Sequence, residues 1–246
     1  MYADDHQLYV MGNNYEIVGS RLKAQGQLAS TWYKNNFLLA NTDKFQFLTV
    51  NPRKLDMEKR DVSLDIEGDD IRKSDKIKLL GVHIDENLNF TSHISDICTK
   101  GSQKVGVIMR LRKLIPCSAK SVLYKSFILP HLTYCHLVWH FCKSTDSKNL
   151  ARIQERALRA VYESSSETYE ELLERAKLPT LYNRRLQDIM IFMYKVKYGL
   201  VAGNVSDMFR IKDNRYLLRN SDFEIPCFYS VRHGKHSVRY LGPFLW

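Results

Sequence analysis

Cysteine is scarce in this chain, and long apolar runs are absent. The five cysteines are odd in number and irregularly spaced over 246 residues, which does not fit a disulfide framework and favours a reducing compartment. No apolar run reaches the roughly 20 residues that span a bilayer, and the first residues lack the basic and apolar segments of a signal peptide. We therefore expect no membrane partner. Repeats and low-complexity tracts are also missing.

Acidic residues are missing from one long stretch. No Asp or Glu occurs between Asp96 and Asp146, whereas eight Lys or Arg fall in that interval, and the formal net charge of the chain is +10. A solvated helical face usually mixes both signs. The pattern therefore favours a polyanionic partner such as nucleic acid, although many basic proteins bind none.

Apolar residues make up 44% of the chain, and their spacing predicts that the first part is α+β. Helical spacing predicts a helix over residues 17–38 that breaks at 41–43. Alternation predicts strands at 45–49, at 62–66 and at 77–84, the last interrupted by Gly81. Gly68, Asp69 and Asp70 predict a turn.

From about residue 90 the apolar period becomes helical, which predicts an all-helical second part and an irregular or β tail after Asn220. Pro116 is expected to end the first helix, Ser118 to cap the next, and Pro130 to kink it. The predicted helices cover residues 94–115, 122–141, 146–162, 168–176 and 181–200.

The chain opens with Tyr2-Ala3-Asp4-Asp5, two carboxylates between short β-forming runs. Asp favours turns, so the pair is expected at a hairpin tip, where carboxylate oxygens suit Mg²⁺. The alternative is a solvated acidic turn, because so short a motif is common.

Three longer segments follow in order: WYKNNFLLANTDK at 32–44, KLLGVHIDENLNFTSHI at 78–94 and SFILPHLTYC at 126–135. Further matches are LARIQERALR at 150–159 and the tail from 225 to PFLW at 243–246. Together with the Tyr-Ala-Asp-Asp box, they resemble the reverse transcriptases of non-LTR (LINE-type) retrotransposons, from the palm active site through the thumb.

The resemblance implies roles for the first residues. Asp4 and Asp5 would be catalytic carboxylates that bind Mg²⁺ or Mn²⁺, Tyr2 would lie beside the incoming nucleotide, and Lys44 would act as an acid for the leaving pyrophosphate. Capping of a helix C-terminus is an equal alternative for Lys44.

Substrate-binding roles are implied further along the chain. Leu80 and Gly81 would belong to a primer-grip-like hairpin, unless Gly81 marks a plain bulge. Basic residues of the following helix would contact template–primer phosphates. These cations are Lys100, Lys104, Arg110 and Lys113.

The resemblance also implies a domain order and partners. Residues 1–91 would form the C-terminal part of the palm, 92–165 a thumb-like basic helical region, and 166–246 a helical extension with a basic tail. The expected partners are an RNA template, a DNA primer and a dNTP, in the nucleus or the cytoplasm.

A two-metal site needs carboxylates from more than one strand, and in the family another palm Asp comes from an upstream strand. That strand and the fingers are expected to be missing here, so we expect the chain to be inactive alone. It would then be a fragment of a larger reverse transcriptase, a non-catalytic nucleic-acid-binding remnant, or a decayed element.

One competing pattern is a zinc site, because several His and Cys residues fall at helical spacings. The interleaved apolar residues and the lack of a CxxC pair favour ordinary core packing instead. The candidate ligands are His131, Cys135, His136, His140 and Cys142.

Overall fold

A computed structural model describes residues 6–13, 15–50, 63–66, 68–212, 222–228 and 234–246. The chain divides into two compact units, Met1–Leu88 and Asn89–Trp246. The mixture of helices and small antiparallel sheets confirms the α+β class. The assignment of segments to palm, thumb and extension stays a prediction.

The first unit contains one long helix and, within the described residues, two β-hairpins. The predicted first helix is confirmed as α1, and both sheets are antiparallel. The bounds are α1 Tyr15–Asn35, β1 Ser63–Ile66, β2 Asp69–Arg72, β3 Lys76–Leu79 and β4 Val82–Asp85.

Helix α1 packs on β1 through a glycine. A Cβ on Gly26 would lie 2.6 Å from Ile66 Cδ1, so only glycine permits this approach without a shift. Along β1 exposed and buried residues alternate, and Leu64 and Ile66 face the core with Ile71 and Phe47. This small cluster is the described core of the unit.

Two predictions in this unit are wrong. Residues 45–49 form no strand. Phe47 makes an isolated bridge with Lys73, and its side chain is buried in the core cluster. Asp69 and Asp70 lie in β2 rather than in the turn, which is left to Gly68 at φ 94°.

The second unit is helical. Its bounds are α2 Thr91–Leu111, α3 Cys117–Leu123, α4 Leu129–Thr133, α5 His136–Trp139, α6 Ser144–Tyr162, α7 Tyr169–Ala176, α8 Leu181–Lys197, α9 Gly203–Ser206 and α10 Val238–Leu245. No helix within the described ranges is both long and apolar enough to cross a membrane.

Helices α2 and α6 form the centre of this unit. A Cβ on Gly101 of α2 would lie 3.2 Å from Ile153 of α6 and 3.3 Å from Leu132 of α4, so the three helices meet closely there. The helix predicted over 146–162 is confirmed as α6, and one apolar face of it is buried. Its buried apolar residues include Leu150, Ile153, Ala157, Leu158 and Val161.

A buried polar chain joins α6 to its neighbours. Tyr169 donates to Gln154 Oε1 at 2.6 Å, and Gln154 donates to the Tyr124 hydroxyl at 3.1 Å. Burial raises the pKa of Tyr124 to about 12. Because each of these polar side chains has a partner, the hydrogen bonds offset the cost of burying them.

The helix predicted over 122–141 is wrong in its continuity. A π-helical turn, Tyr124–Ile128, separates α3 from α4, and Cys135 at φ 53° separates α4 from α5. Pro130 lies in the first turn of α4, directly after the π-helical turn.

The boundaries near Pro116 also differ from prediction. Helix α2 ends at Leu111, and α3 begins at Cys117 with Pro116 as N-cap, so Ser118 lies inside the helix. Proline disfavours α-helical geometry for the residue before it, so α2 ends upstream of Ile115.

The prediction of an irregular or β tail is also wrong for the last residues, which form α10. A Cβ on Gly242 would lie 2.4 Å from Met193 Sδ, so α10 sits directly on α8. Trp246 and Lys197 both bind the Asp222 carboxylate, at 2.9 and 2.7 Å.

Candidate nucleic-acid interface

Lysine and phenylalanine side chains meet where α2 faces the π-helical turn. Lys104 of α2 donates from Nζ to the Phe127 carbonyl oxygen at 3.1 Å, and the same nitrogen lies 4.3 Å from the centroid of the Phe127 ring. The ring stays 47% exposed. An ammonium group and an accessible aromatic face therefore lie together on the surface.

His131 and Lys100 belong to the same group. His131 Nε2 lies 3.3 Å from the Ile97 carbonyl oxygen. Burial lowers the pKa of His131, and the charges of Lys104 and Lys100 lower it further. The two lysines supply the positive charge of this group. We call Lys100, Lys104, Phe127 and His131 the cationic surface.

The other predicted cations of this region lie elsewhere. Arg110 is exposed on α2, and Lys113 follows the helix end. Ten residues of helix separate Lys100 from Arg110 by about 15 Å. Lys113 lines a cleft with Arg112 and Lys120. The structure therefore brings together Lys100 and Lys104 but not all four candidates.

Sequence reasoning gave no nucleic-acid-binding role to two members of the cationic surface, Phe127 and His131. Both lie in the segment at 126–135 and in the interval without acidic residues, and His131 was considered only as a zinc ligand. Their position beside Lys104 depends on the π-helical turn, which no periodicity predicted.

The predicted hairpin pair Leu80-Gly81 forms the two-residue turn between β3 and β4. Leu79 pairs with Val82, and both turn residues have positive φ, 45° for Leu80 and 85° for Gly81. Positive φ at both positions defines a type I′ turn, which favours Asn-Gly. Leu80 is 42% exposed and is an unusual residue there.

Of the predicted catalytic residues, the structure describes Lys44. It is the exposed last residue of a 3₁₀ turn, Thr42–Lys44, and so does not cap α1, which ends at Asn35. Tyr2, Asp4 and Asp5 lie outside the described residues.

The described carboxylates offer no metal site. Asp65 binds Lys23 at 2.7 Å and the Gly68 N–H at 2.9 Å, and Lys23 is the main cause that lowers its pKa. Asp70 lies opposite Asp65 in the hairpin. Within the described ranges no three His, Cys, Asp or Glu side chains are grouped to hold an ion. We therefore derive no metal-dependent step from these residues.

The histidines weighed as zinc ligands have other contacts. His136 Nε2 lies 2.9 Å from Asp188 Oδ2, and His140 packs against Tyr182 at 5.7 Å between ring centroids. Arg185 is 2% exposed, donates to Ser147 Oγ at 2.8 Å and lowers the pKa of His140. The cluster fills the space between α5 and α8.

Comparison with known proteins finds one informative similarity. Over 168 residues the chain is 23% identical to the "Probable RNA-directed DNA polymerase from transposon BS" of Drosophila melanogaster. The alignment covers 65% of this chain and 18% of that protein. No family model and no solved structure matches the chain. The similarity supports a relationship to reverse transcriptases.

Proposed function

We propose that this chain is part of a non-LTR (LINE-type) reverse transcriptase and that its second unit binds the template–primer duplex. The order of the sequence motifs and the similarity to the Drosophila polymerase support this proposal. The first unit would then be palm and the start of the second unit thumb.

The cationic surface is the observation that carries the binding proposal. Lys100 and Lys104 lie in an interval without acidic residues, and Asp96, one helical turn before Lys100, is the nearest carboxylate in sequence. Phosphates neutralised by lysine release condensed counterions, which makes such contacts favourable for any sequence. A polymerase needs this, because it must advance along every template.

The geometry of Lys104 suits a phosphate contact. The ammonium group has three protons, and the Phe127 carbonyl takes one of them. The remaining protons can reach a phosphate oxygen while Nζ stays beside the Phe127 ring. Lys104 therefore loses little side-chain entropy on binding.

The Leu80-Gly81 turn supports a contact by the first unit. A leucine at positive φ costs about 1 kcal/mol or more compared with asparagine or glycine. Strained residues of this kind cluster at functional sites. We propose that the exposed Leu80 side chain packs against the primer strand, as a primer grip would.

Nucleotidyl transfer itself is proposed for the whole protein only. Asp4 and Asp5 would contribute Mg²⁺ ligands, Lys44 would neutralise pyrophosphate, and Tyr2 would contact the dNTP. The 246-residue chain alone should show no Mg²⁺- or Mn²⁺-dependent primer extension. Extension that Asp4→Ala abolishes would contradict this.

Equilibrium binding tests the proposal. A fluorescent RNA–DNA hybrid of 20 base pairs should bind the wild-type chain about tenfold more tightly than Lys100→Gln/Lys104→Gln, because two phosphate contacts are lost. Lys195→Gln on α8 removes an exposed lysine outside the surface and should bind as the wild type.

Thermal unfolding of each variant shows whether it is folded. Equal affinity of the folded double variant and the wild type would reject the cationic surface as the binding site. No binding by any of them would reject the nucleic-acid proposal altogether.

A further inference from the structure

An open cleft of about 480 Å³ lies just beyond the C-terminal end of α2. Arg112 and Lys113 follow α2, Lys120 comes from α3, Glu163 follows α6, and Arg175 comes from α7. All five line the cleft. Its volume is in the range of sites for small ligands.

The cleft already holds one anion, the carboxylate of Glu163. Lys120 is 2% exposed and its Nζ is bound by Glu163 Oε1 and, at 3.2 Å, by the Arg112 carbonyl oxygen. Lys120 is the main cause that lowers the pKa of Glu163, and the charges of Arg112 and Lys113 add to it. Several cations therefore converge on one partly exposed carboxylate.

The backbone of Glu163 is strained. It ends α6 at φ 54° and ψ 32°, a left-handed conformation that favours glycine or asparagine. A glutamate there places its carboxylate beside Lys120 at a conformational cost. The side chain occupies the position that an external anion would take.

The remaining walls are apolar and aromatic. Ile115, Pro116 and Val161 line the cleft, and so does Tyr162. The Arg175 guanidinium lies 4.5 Å from the centroid of the Tyr162 ring, and its pair with Glu167 at 3.0 Å holds it there. Such walls suit the sugar and base of a nucleotide, whereas the cations suit its phosphate.

We propose that this cleft binds one nucleotide of a nucleic-acid strand, with its phosphate against Arg112 and Lys113, and that Glu163 competes with that phosphate. The inference rests on the proposed function, because the ligand is taken to be nucleic acid. From Lys100 to Arg112 the axis of α2 rises about 18 Å, or about five base steps of one strand. The axial separation of the two sites thus corresponds to a few nucleotides of one strand.

The reactivity of Cys117 shows whether the cleft is occupied, because this exposed thiol lines the cleft. The rate of its modification by N-ethylmaleimide is measured by mass spectrometry on the full chain. Thymidine monophosphate and a ten-residue oligothymidylate should slow it by about threefold or more at saturation, and thymidine should not. The exposed Cys227, outside the cleft lining, should keep its rate with every probe.

Glu163→Gln tests the competition. Glutamine keeps an oxygen for Lys120 and removes the charge, so the affinity for thymidine monophosphate should rise about fivefold. Glu170→Gln makes the same change of net charge on the exposed start of α7, outside the cleft lining, and should leave the affinity unchanged.

If the probes leave Cys117 reactivity unchanged while hybrid binding still depends on Lys100 and Lys104, this inference alone is wrong. If the probes leave Cys117 reactivity unchanged and hybrid binding does not depend on the two lysines, the proposed function is wrong as well. If inorganic phosphate slows the modification of Cys117 as much as thymidine monophosphate does, the cleft binds free phosphate and the proposal of a nucleotide is wrong. A lower affinity of folded Glu163→Gln would contradict the competition.

Discussion

At the scale of single residues, Leu80 is poorly suited to its backbone conformation, which lowers stability. Its φ of 45° lies in a type I′ turn, where asparagine is favoured. Leu80→Asn should therefore raise the free energy of unfolding by about 0.5–1 kcal/mol. Urea unfolding followed by circular dichroism measures this change.

Gly81 provides the opposite change in the same turn. Gly81→Ala places a Cβ at φ 85° and should lower the free energy of unfolding by about 1 kcal/mol. Both substitutions altering stability in the same direction would contradict the turn geometry. A more stable Leu80→Asn chain that binds primer less tightly would support a contact by the leucine side chain.

His140 makes stability depend on pH. Burial, the Arg185 charge and His136 lower its pKa to about 4, from 6.5 in an unfolded chain. The unfolded chain thus binds a proton that the folded chain refuses, so stability falls as the pH decreases from about 6.5 to about 4. Allowing for solvent screening, we expect a loss on the order of 1–2 kcal/mol.

Urea unfolding at pH 7 and pH 5 measures the loss. His140→Phe keeps an aromatic ring beside Tyr182 and should reduce the difference between the two pH values. His236→Phe changes an exposed histidine and should leave the difference intact. An unaltered difference in His140→Phe would mean that other groups cause the acid sensitivity.

At the scale of elements, α7 depends on its N-terminal cap. The Glu171 N–H donates to Thr168 Oγ1 at 3.3 Å, and the Thr168 N–H donates to Glu171 Oε2 at 2.7 Å. Thr168→Ala should lower the free energy of unfolding by about 1 kcal/mol. Thr168→Ser keeps the hydroxyl and should restore most of it; equal losses in both would exclude the cap as the cause.

The long helices could be predicted from sequence because their apolar faces repeat over several turns. Helices α1, α2 and α6 were found in this way, within a few residues at each end. The helix over 122–141 failed, because the π-helical turn and the positive φ of Cys135 are set by tertiary packing. The local pattern contains no trace of either.

For the candidate site, the sign of the charge could be predicted from the sequence, but not which residues lie together. Lys100 and Lys104 are one helical turn apart, so their proximity could be predicted from spacing. Phe127 and Glu163 reach their places through contacts between helices distant in sequence. Such contacts depend on how the helices pack, which spacing along one helix does not contain.

At the scale of the whole molecule, both units leave some apolar side chains exposed. In the first unit Leu28, Trp32, Phe37 and Leu39 are half or almost fully exposed on and just after α1. The second unit buries the core-facing residues of α2, α6 and α8 but also leaves apolar side chains exposed, such as Leu114. A group of exposed apolar side chains such as the one on α1 is typical of an interaction surface.

The central claim is that the second unit binds nucleic acid through phosphate contacts of Lys100 and Lys104. The most direct test is the slope of log K against log[KCl] for the RNA–DNA hybrid. For folded Lys100→Gln/Lys104→Gln we expect this slope to be less steep than in the wild type by about two. An identical slope in the two chains would contradict the claim.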